Sequence, residues 1–352
     1  MTSEKPFLTY SNAGVDIDAG DAAIDAIKKD VAKTQGPGVL GGISGFGGLF
    51  ALNDACPELD DPVLVSGADG VGTKLMTAIA AQKHDTVGQD LVAMCVNDIL
   101  TLGAKPIFFL DYFGTGKLSP AEMATVVRGI AGACEYTGCA LLGGETAELP
   151  GLYQAGDYDL AGFAVGVVNR NKIIDGTRVR AGHQVIGLSS SGLHSNGYSL
   201  ARKIVHERMG LQVNDVLFDQ LTVAQVLLEP TRLYGPMVLP LLQSSLRVDG
   251  MAHITGGGIV GNLARCLPAG LGVKVQQDAW PEPPIFDVLR QNGPVQEEEM
   301  RRTFNLGLGF ALYVPKEDAA EVIAALQASG ETAYLIGEVC DGEGVHMSER
   351  QP

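Results

Sequence analysis

The chain has 352 residues, 46% of them hydrophobic, with a mean hydropathy of +0.15, enough for about two domains with sizeable cores. Its net charge of −16 and pI of about 4.7 argue against nucleic acid as a partner, since a phosphate backbone needs clustered Lys and Arg. An anionic ligand must therefore be met by local donors. No apolar run reaches the ~18 residues of a membrane span, MTSEKPFLTYSNAG holds no signal-peptide core, and the six cysteines form no C-x-x-C pair, so a cytoplasmic protein with reduced thiols and no membrane partner is expected.

A helix over Asp18–Thr34 comes first, with Ile24, Ile27 and Val31 on one face. Gly36–Phe50 then carries seven glycines among hydrophobes and reads as an ordered loop whose amides a ligand can approach. Asp61–Gly67 reads as a buried strand entering SGADGVGTKL, Ser66–Leu75. Asp90–Pro106 reads as a helix stopped by Gly103 and Pro106, with Asp98 on the same stripe as Leu91, Met94, Cys95, Ile99 and Leu102. A carboxylate facing a core is costly unless it is paired or on a metal. Ile107–Gly114 is a strand containing Asp111. Ser119–Gly138 is a helix with Ser119 as N-cap, Pro120 at N1 and Glu122 closing a capping box. Cys139–Gly144 and Asp159–Val168 are strands, and the polar stretch Asn169–Gly182 marks the junction between domains 1–170 and 171–352. In the second half, His183–Ser191 is a strand, Ser191–Val205 a loop opening a helix, and Met251–Leu267 a strand, glycine loop and helix. Arg302–Val314, the helix Glu317–Gly330 and the strand Thr332–Val339 follow; Asp215–Glu229 and WPEPP read as excursions. Sheets covered by helices in both halves define an α/β (α+β) protein.

Gly67–Gly72 has P-loop spacing, but Thr73-Lys74 follows where Lys then Ser or Thr is needed, and Asp69 sits among the glycines. A carboxylate repels phosphate unless a cation lies between them, and Mg²⁺ is typically shared by one or two carboxylates and phosphate oxygens. Asp69, Asp98 and Glu145 are thus candidate Mg²⁺ ligands; a turn-capping role is the alternative for Asp69, and Glu148 reads equally as a solvated neighbour. Four glycine loops, Gly41–Gly48, Gly67–Gly72, Gly143–Gly144 and Gly256–Gly258, point together to phosphorylated ligands, though each alone is more often a tight turn. His194 and His253 lie beside Gly/Ser loops and suit proton transfer or phosphate gripping, with loop bracing the alternative. His84, His183, His206 and His346 are expected at the surface. Lys28, Lys74 and Lys117 are the candidate cations; no G-x-S-x-G elbow or zinc spacing is present.

YSNAGVDIDAG, LVSGADGVGTKL, DLVAMCVNDIL, FFLDYFGTGKL, GGETAELPG, SSSGLHSNGYSL, HITGGG and RTFNLGLG together resemble the phosphoribosylformylglycinamidine cyclo-ligase (AIR synthetase) family, from about Tyr10 to Glu338. Asp98–Pro106, D-x4-G-A-x-P, resembles the ATP-binding signature of its wider superfamily. The resemblance implies a ligase of purine biosynthesis that uses ATP and Mg²⁺ to close formylglycinamidine ribonucleotide (FGAM) to 5-aminoimidazole ribonucleotide (AIR). ADP and phosphate would be released, through an iminophosphate. It implies a two-domain AIR synthetase-like architecture in which N-terminal mixed sheets pair into the β-barrel of a homodimer, followed by a C-terminal α/β sandwich. Carried onto this chain, Lys28, His194 and His253 would be catalytic, and Asp69, Asp98 and Glu145 would hold metal. Gly45, Gly47, Gly48, Gly70, Gly72, Thr73 and Lys74 would surround ATP and its phosphates, with Asp111, Gly143, Gly144, Gly256, Gly257 and Gly258. The chain departs from the pattern at HITGGGIV, which lacks the aromatic pair that often follows the glycines. A nucleotide-binding relative without catalysis and an ATP-dependent relative acting on a different small molecule are the competing readings.

Overall fold

The computed structural model describes Tyr10, residues 13–42 and residues 47–348; the expected site residue Gly45 lies outside these. α1 (Ile17–Lys33) starts at Asp16, whose side chain accepts the Ala19 N–H, and buries Ala23, Ile27 and Val31 against a later helix. α2 (Leu52–Ala55), β1 (Pro62–Gly70), α3 (Lys74–Ala81), α4 (Val87–Leu100), β2 (Lys105–Thr115), α5 (Pro120–Thr137), β3 (Ala140–Glu148) and β4 (Tyr158–Asn169) complete the first unit. Its sheet runs β1-β4-β2-β3 and is mixed: β2 and β3 are parallel and the other pairs antiparallel. A parallel pair needs a crossover, and α5 supplies it. α5 has Pro120 at N1 and ends on left-handed Gly138 (φ 68°), but Ser119 makes no side-chain cap, so the expected capping box is absent.

Strand alternation gives this sheet two unlike faces. Val63, Val65, Gly67 and Asp69 of β1 turn toward α4, and Leu64, Ser66 and Ala68 toward solvent. α4 is buried on all sides except at partly buried Gln89 and exposed Asp98. Most of its residues pack in the first core, while Leu100 joins a cluster of the second half. A helix between two packed layers has no solvent face, so the amphipathic stripe expected from the sequence is only half of its buried surface.

The second unit contains β5 (Gln184–Ser189), α6 (Tyr198–Arg202), which continues as a π-helical turn to Arg208, β6 (Val216–Phe218), β7 (Leu221–Thr222), α7 (Val223–Leu227) and α8 (Gly235–Leu242). β8 (Gly250–His253), α9 (Gly258–Leu263), β9 (Leu271–Val275), α10 (Pro284–Asn292) and α11 (Glu297–Thr303) follow, then β10 (Leu308–Val314), α12 (Ala319–Ala328), β11 (Ala333–Asp341) and β12 (Gly344–Met347). The six-stranded sheet β12-β9-β11-β5-β10-β8 is antiparallel except between β12 and β9. All of β10 is buried: Leu308, Ala311 and Tyr313 enter one core, Phe310, Leu312 and Val314 another, as a strand covered on both faces requires.

The two expected excursions are ordered. Residues 216–227 form a hairpin and a helix with a true capping box, Thr222 with Gln225. Trp280 of WPEPP is buried and donates Nε1–H to Leu306 O at 2.8 Å. All six cysteines are unpaired. Among the described residues no helix is long and apolar enough to cross a membrane.

Candidate active site

β1 ends at Asp69 and Gly70, and α4 presents Asp98 beside it; a cleft of about 600 Å³ opens there between the two units. Asp69, Gly70, Gly72 and Met94 line one wall, and Ser195, Asn196, Thr255 and Gly256 the other. Burial raises the Asp69 pKa, the charge of Asp98 raises it further, and the Gly70 N–H on Oδ1 at 2.7 Å opposes both. Two carboxylates whose charges repel in a half-buried site are what a divalent cation relieves. Asp159 stands on the same wall, a carboxylate that sequence reading passed over because it begins a strand.

His253, the last residue of β8, places Nδ1 2.8 Å from Asp98 Oδ1 and Nε2 3.5 Å from Asn97 Nδ2. Its ring is almost wholly buried and packs near Phe310. His253 is therefore held against Asp98 with its side chain 2% exposed. His194, expected to share its role, is fully buried in the left-handed region (φ 59°) and accepts the Ser191 N–H at Nε2. Burial, then the neighbouring His253, Lys74 and Arg232 charges, hold its pKa well below the ordinary value. The His194 side chain is thus enclosed by its own loop, with no exposed ring atom. His84 and His183, expected at the surface, are also buried: His84 meets Tyr158 OH and His183 meets Asp249.

Lys74 departs most from expectation. It is fully buried, and Nζ donates to Asp90 Oδ1 at 2.9 Å, His194 O at 2.9 Å and Glu229 O at 2.7 Å. An ammonium has three protons, so none remains for phosphate. Burial lowers its pKa and Asp90 opposes that shift. Asp90 Oδ1 also accepts from Thr231 N–H and OH, while Gln89 and Asn97 of α4 bond the Thr231 and Arg232 carbonyls. This polar cluster bolts α3 and α4 to the segment 229–234 of the second unit. Lys28 is exposed on α1 and pairs with Asp25, away from this cluster.

The register row Asp69–Gly162–Asp111–Gly144 crosses the inner face of the first sheet. Glu145 pairs with Tyr112 in the next row and so points to the opposite face; the expected third metal ligand is not beside Asp69 and Asp98. Among the described residues no group of three potential ligands forms. Gly144 serves Asp111, because a Cβ there would lie 2.3 Å from Asp111 Oδ1; Gly143 is its neighbour on β3. Gly48 lies against Leu142, with nothing close to Gly47. Gly257 and Gly258 have positive φ, and a Cβ on Gly258 would strike Arg301 O, so this turn is shaped by packing while Gly256 faces the cleft. Thr73 Oγ1 lies 3.3 Å from Ser199 Oγ across the two units. Glu148 accepts the Leu118 and Asp16 N–H groups and anchors the N-terminal helix.

Asp111 is a testable feature of this face. Burial pushes its pKa up to about 7, so ionising it on folding costs up to roughly 4 kcal/mol, less whatever water reaches it. The cost is absent below the unfolded value, grows as pH rises from about 4 toward 7, and is constant above that. Asp111→Asn should match wild type at pH 4 and melt several degrees higher at pH 8; equal melting at both pH values would show that Asp111 is solvated.

This fold and cleft define the AIR synthase related class. The family model described as AIR synthase related protein, N-terminal domain, matches residues 53–168, and that of the C-terminal domain matches residues 180–348. Among solved structures, thiamine-monophosphate kinase from Stenotrophomonas maltophilia superposes with a TM-score of 0.69 at 18% identity, covering 93% of this chain and 96% of that one. Hydrogenase maturation protein HypE in complex with ATP gives 0.63 at 19%, covering 91% and 86%; at such identities the likeness is one of fold. The phosphoribosylformylglycinamidine cyclo-ligase of Sorangium cellulosum is 55% identical over 345 residues, 97% of this chain and 98% of its own length. That of Anaeromyxobacter dehalogenans is 57% identical over 335 residues, 94% and 95% of the two chains. The chain belongs to the phosphoribosylformylglycinamidine cyclo-ligase family, ligases of purine biosynthesis.

Proposed function

We propose that the cleft between the two units binds ATP and FGAM and releases AIR, ADP and phosphate. The observation that carries this reading is Asp98: the one exposed residue of a buried helix, bonded to His253 and close enough to the cleft residue Asp69 for its charge to raise the Asp69 pKa. A formamide oxygen is a poor leaving group. Transfer of the γ-phosphoryl group of ATP to that oxygen gives an iminophosphate and ADP. The amidine nitrogen then forms the new C–N bond, the C–O bond breaks, phosphate carries the oxygen away, and loss of a proton leaves the aromatic imidazole.

Asp69 and Asp98 would hold Mg²⁺, which when bound offsets phosphate charge. The residues fit such an ion as a two-carboxylate site that phosphate oxygens and water complete. Gly70, Gly72 and Gly256 leave backbone open to the ligand from both walls. The ATP named with the HypE structure and the D-x4-G-A-x-P string at Asp98–Pro106 support the same nucleotide. The test is ADP release with and without FGAM, alongside a diazo-dye assay for the aminoimidazole. Release that requires FGAM and matches dye colour supports the reading; nucleotide binding without turnover would favour a non-catalytic relative.

The reading also makes the protein a cytoplasmic homodimer. The outer face of the first sheet exposes Leu64, Phe163 and Tyr112 at 60%, 41% and 38%, apolar side chains that pairing with a second copy would cover. Phe163→Asp should halve the mass seen by light scattering at micromolar concentration, and an unchanged mass would reject this face as the interface.

A further inference from the structure

A second crevice lies at the end of the inter-unit junction opposite the cleft, with a volume of about 690 Å³. β8 connects the two places: Asp249 immediately precedes it and His253 ends it. At roughly 3.3 Å per residue, they stand about 13 Å apart along the strand. The crevice has one wall from each unit. Lys105, Val167 and Asn169 belong to the first, Arg178, Leu239, Leu242 and Arg247 to the second.

Its charge is opposite to that of the chain. In a protein of net charge −16, the rim carries Lys105, Lys172, Arg178 and Arg247 against Glu58 and Asp249. Asp249 is 1% exposed and already committed. Its Oδ1 meets Arg178 Nε at 3.2 Å, and its Oδ2 meets Arg247 Nη2 at 2.8 Å and His183 Nε2 at 3.0 Å. The buried carboxylate thus holds two guanidiniums side by side while using one nitrogen of each. Each guanidinium has five N–H donors, so both keep free donors, and both side chains are about half exposed. Lys105 and Lys172 have no ion-pair partner among the described residues. On its far side, the arginine pair also lines a recess with Arg180 and Lys316. Converging cations fixed from behind match the planar, multidentate recognition of a phosphate group.

Ile174, Leu239, Leu242, Leu246 and Val248 add an apolar wall, beside the polar Gln243, Ser244 and Ser245. Pockets of roughly 300–1,000 Å³ with an apolar wall and a few polar anchors hold small organic ligands, and bare phosphate would leave this wall unused. We propose that the crevice is a binding site for a phosphate monoester of nucleotide size, its phosphate on Arg178 and Arg247 and its apolar or aromatic body against Leu239, Leu242 and Leu246. Such a ligand touches both units and is separate from the Asp69–Asp98 cleft.

The experiment is calorimetric titration of the full chain with AMP and, separately, with inorganic phosphate, each with Mg²⁺ and excess non-hydrolysable ATP analogue occupying the Asp69–Asp98 cleft. AMP should bind at least about tenfold more tightly than phosphate, since the apolar wall adds contacts that phosphate cannot make. The Arg178→Ala, Arg247→Ala double variant should weaken AMP at least about tenfold, while Asp98→Asn leaves that affinity unchanged. Should the double variant melt early because Asp249 loses partners, Lys105→Ala with Lys172→Ala disturbs no ion pair and should still weaken AMP several-fold. AMP binding that survives both double variants, or that disappears in Asp98→Asn, overturns the proposal. Equal affinity for AMP and inorganic phosphate overturns it as well, by leaving the apolar wall without a role.

Discussion

Asp98→Asn is expected to lower kcat by roughly 10²–10³-fold, the usual loss when a charge-stabilising group is removed from a phosphoryl-transfer site. The substitution is nearly isosteric. An asparagine Oδ1 still accepts from His253 Nδ1, so the 2.8 Å brace survives and only the negative charge is lost. Thermal stability should stay close to wild type, because Asp98 is exposed and, among the described residues, its carboxylate pairs only with this histidine. The Mg²⁺ concentration for half-maximal rate should rise about tenfold, since one of two carboxylates is gone. The assay is FGAM-dependent ADP release across a Mg²⁺ titration. Activity within a factor of three of wild type, at low Mg²⁺, would remove Asp98 from the metal site and leave Asp69 with Asp159 as the pair to test.

Lys74→Met should instead strike stability. Methionine fills most of the same space without charge, and removing one partner of a buried ion pair costs about 3–5 kcal/mol. Asp90 would keep its Thr231 bonds but lose its counter-charge, and the His194 and Glu229 carbonyls would lose their shared donor. A fall in Tm of roughly 10 °C follows at a few degrees per kcal/mol. Adding Asp90→Asn removes the stranded charge while keeping an acceptor for Thr231, so the double variant should recover more than half of the loss. Thermal unfolding followed by circular dichroism reads both effects. A single variant that melts like wild type yet no longer binds ATP would return Lys74 to the phosphate role that its sequence position suggests.

Lys74 also shows where sequence reading stops. Next to Gly72 and Thr73 it looks like a displaced P-loop lysine, and nothing local signals that Asp90, His194 and Glu229 converge on it from up to 155 residues away. Glu145 is similar. Its glycine-rich setting suggests a ligand, but strand register decides the face, and register depends on which strand pairs with which. His253 and His194 are alike in sequence context; only the first meets a carboxylate.

The amino-acid sequence by itself determined the class of the protein, because glycine turns, strand alternation and helix stops are local signals, and because eight ordered strings carry the family resemblance. It also singled out Asp69 and Asp98 as candidate acids, although Asp98, expected to face a core from its place on an apolar stripe, is exposed. Only the tertiary structure decided which groups face the cleft. It placed α4 between two cores so that Asp98 is its one exposed residue, turned Lys74 inward, and gathered Arg178 and Arg247 around Asp249. Those outcomes depend on contacts between residues far apart in the chain, whose energies are fixed by burial and partner geometry, and no short window of sequence contains both partners.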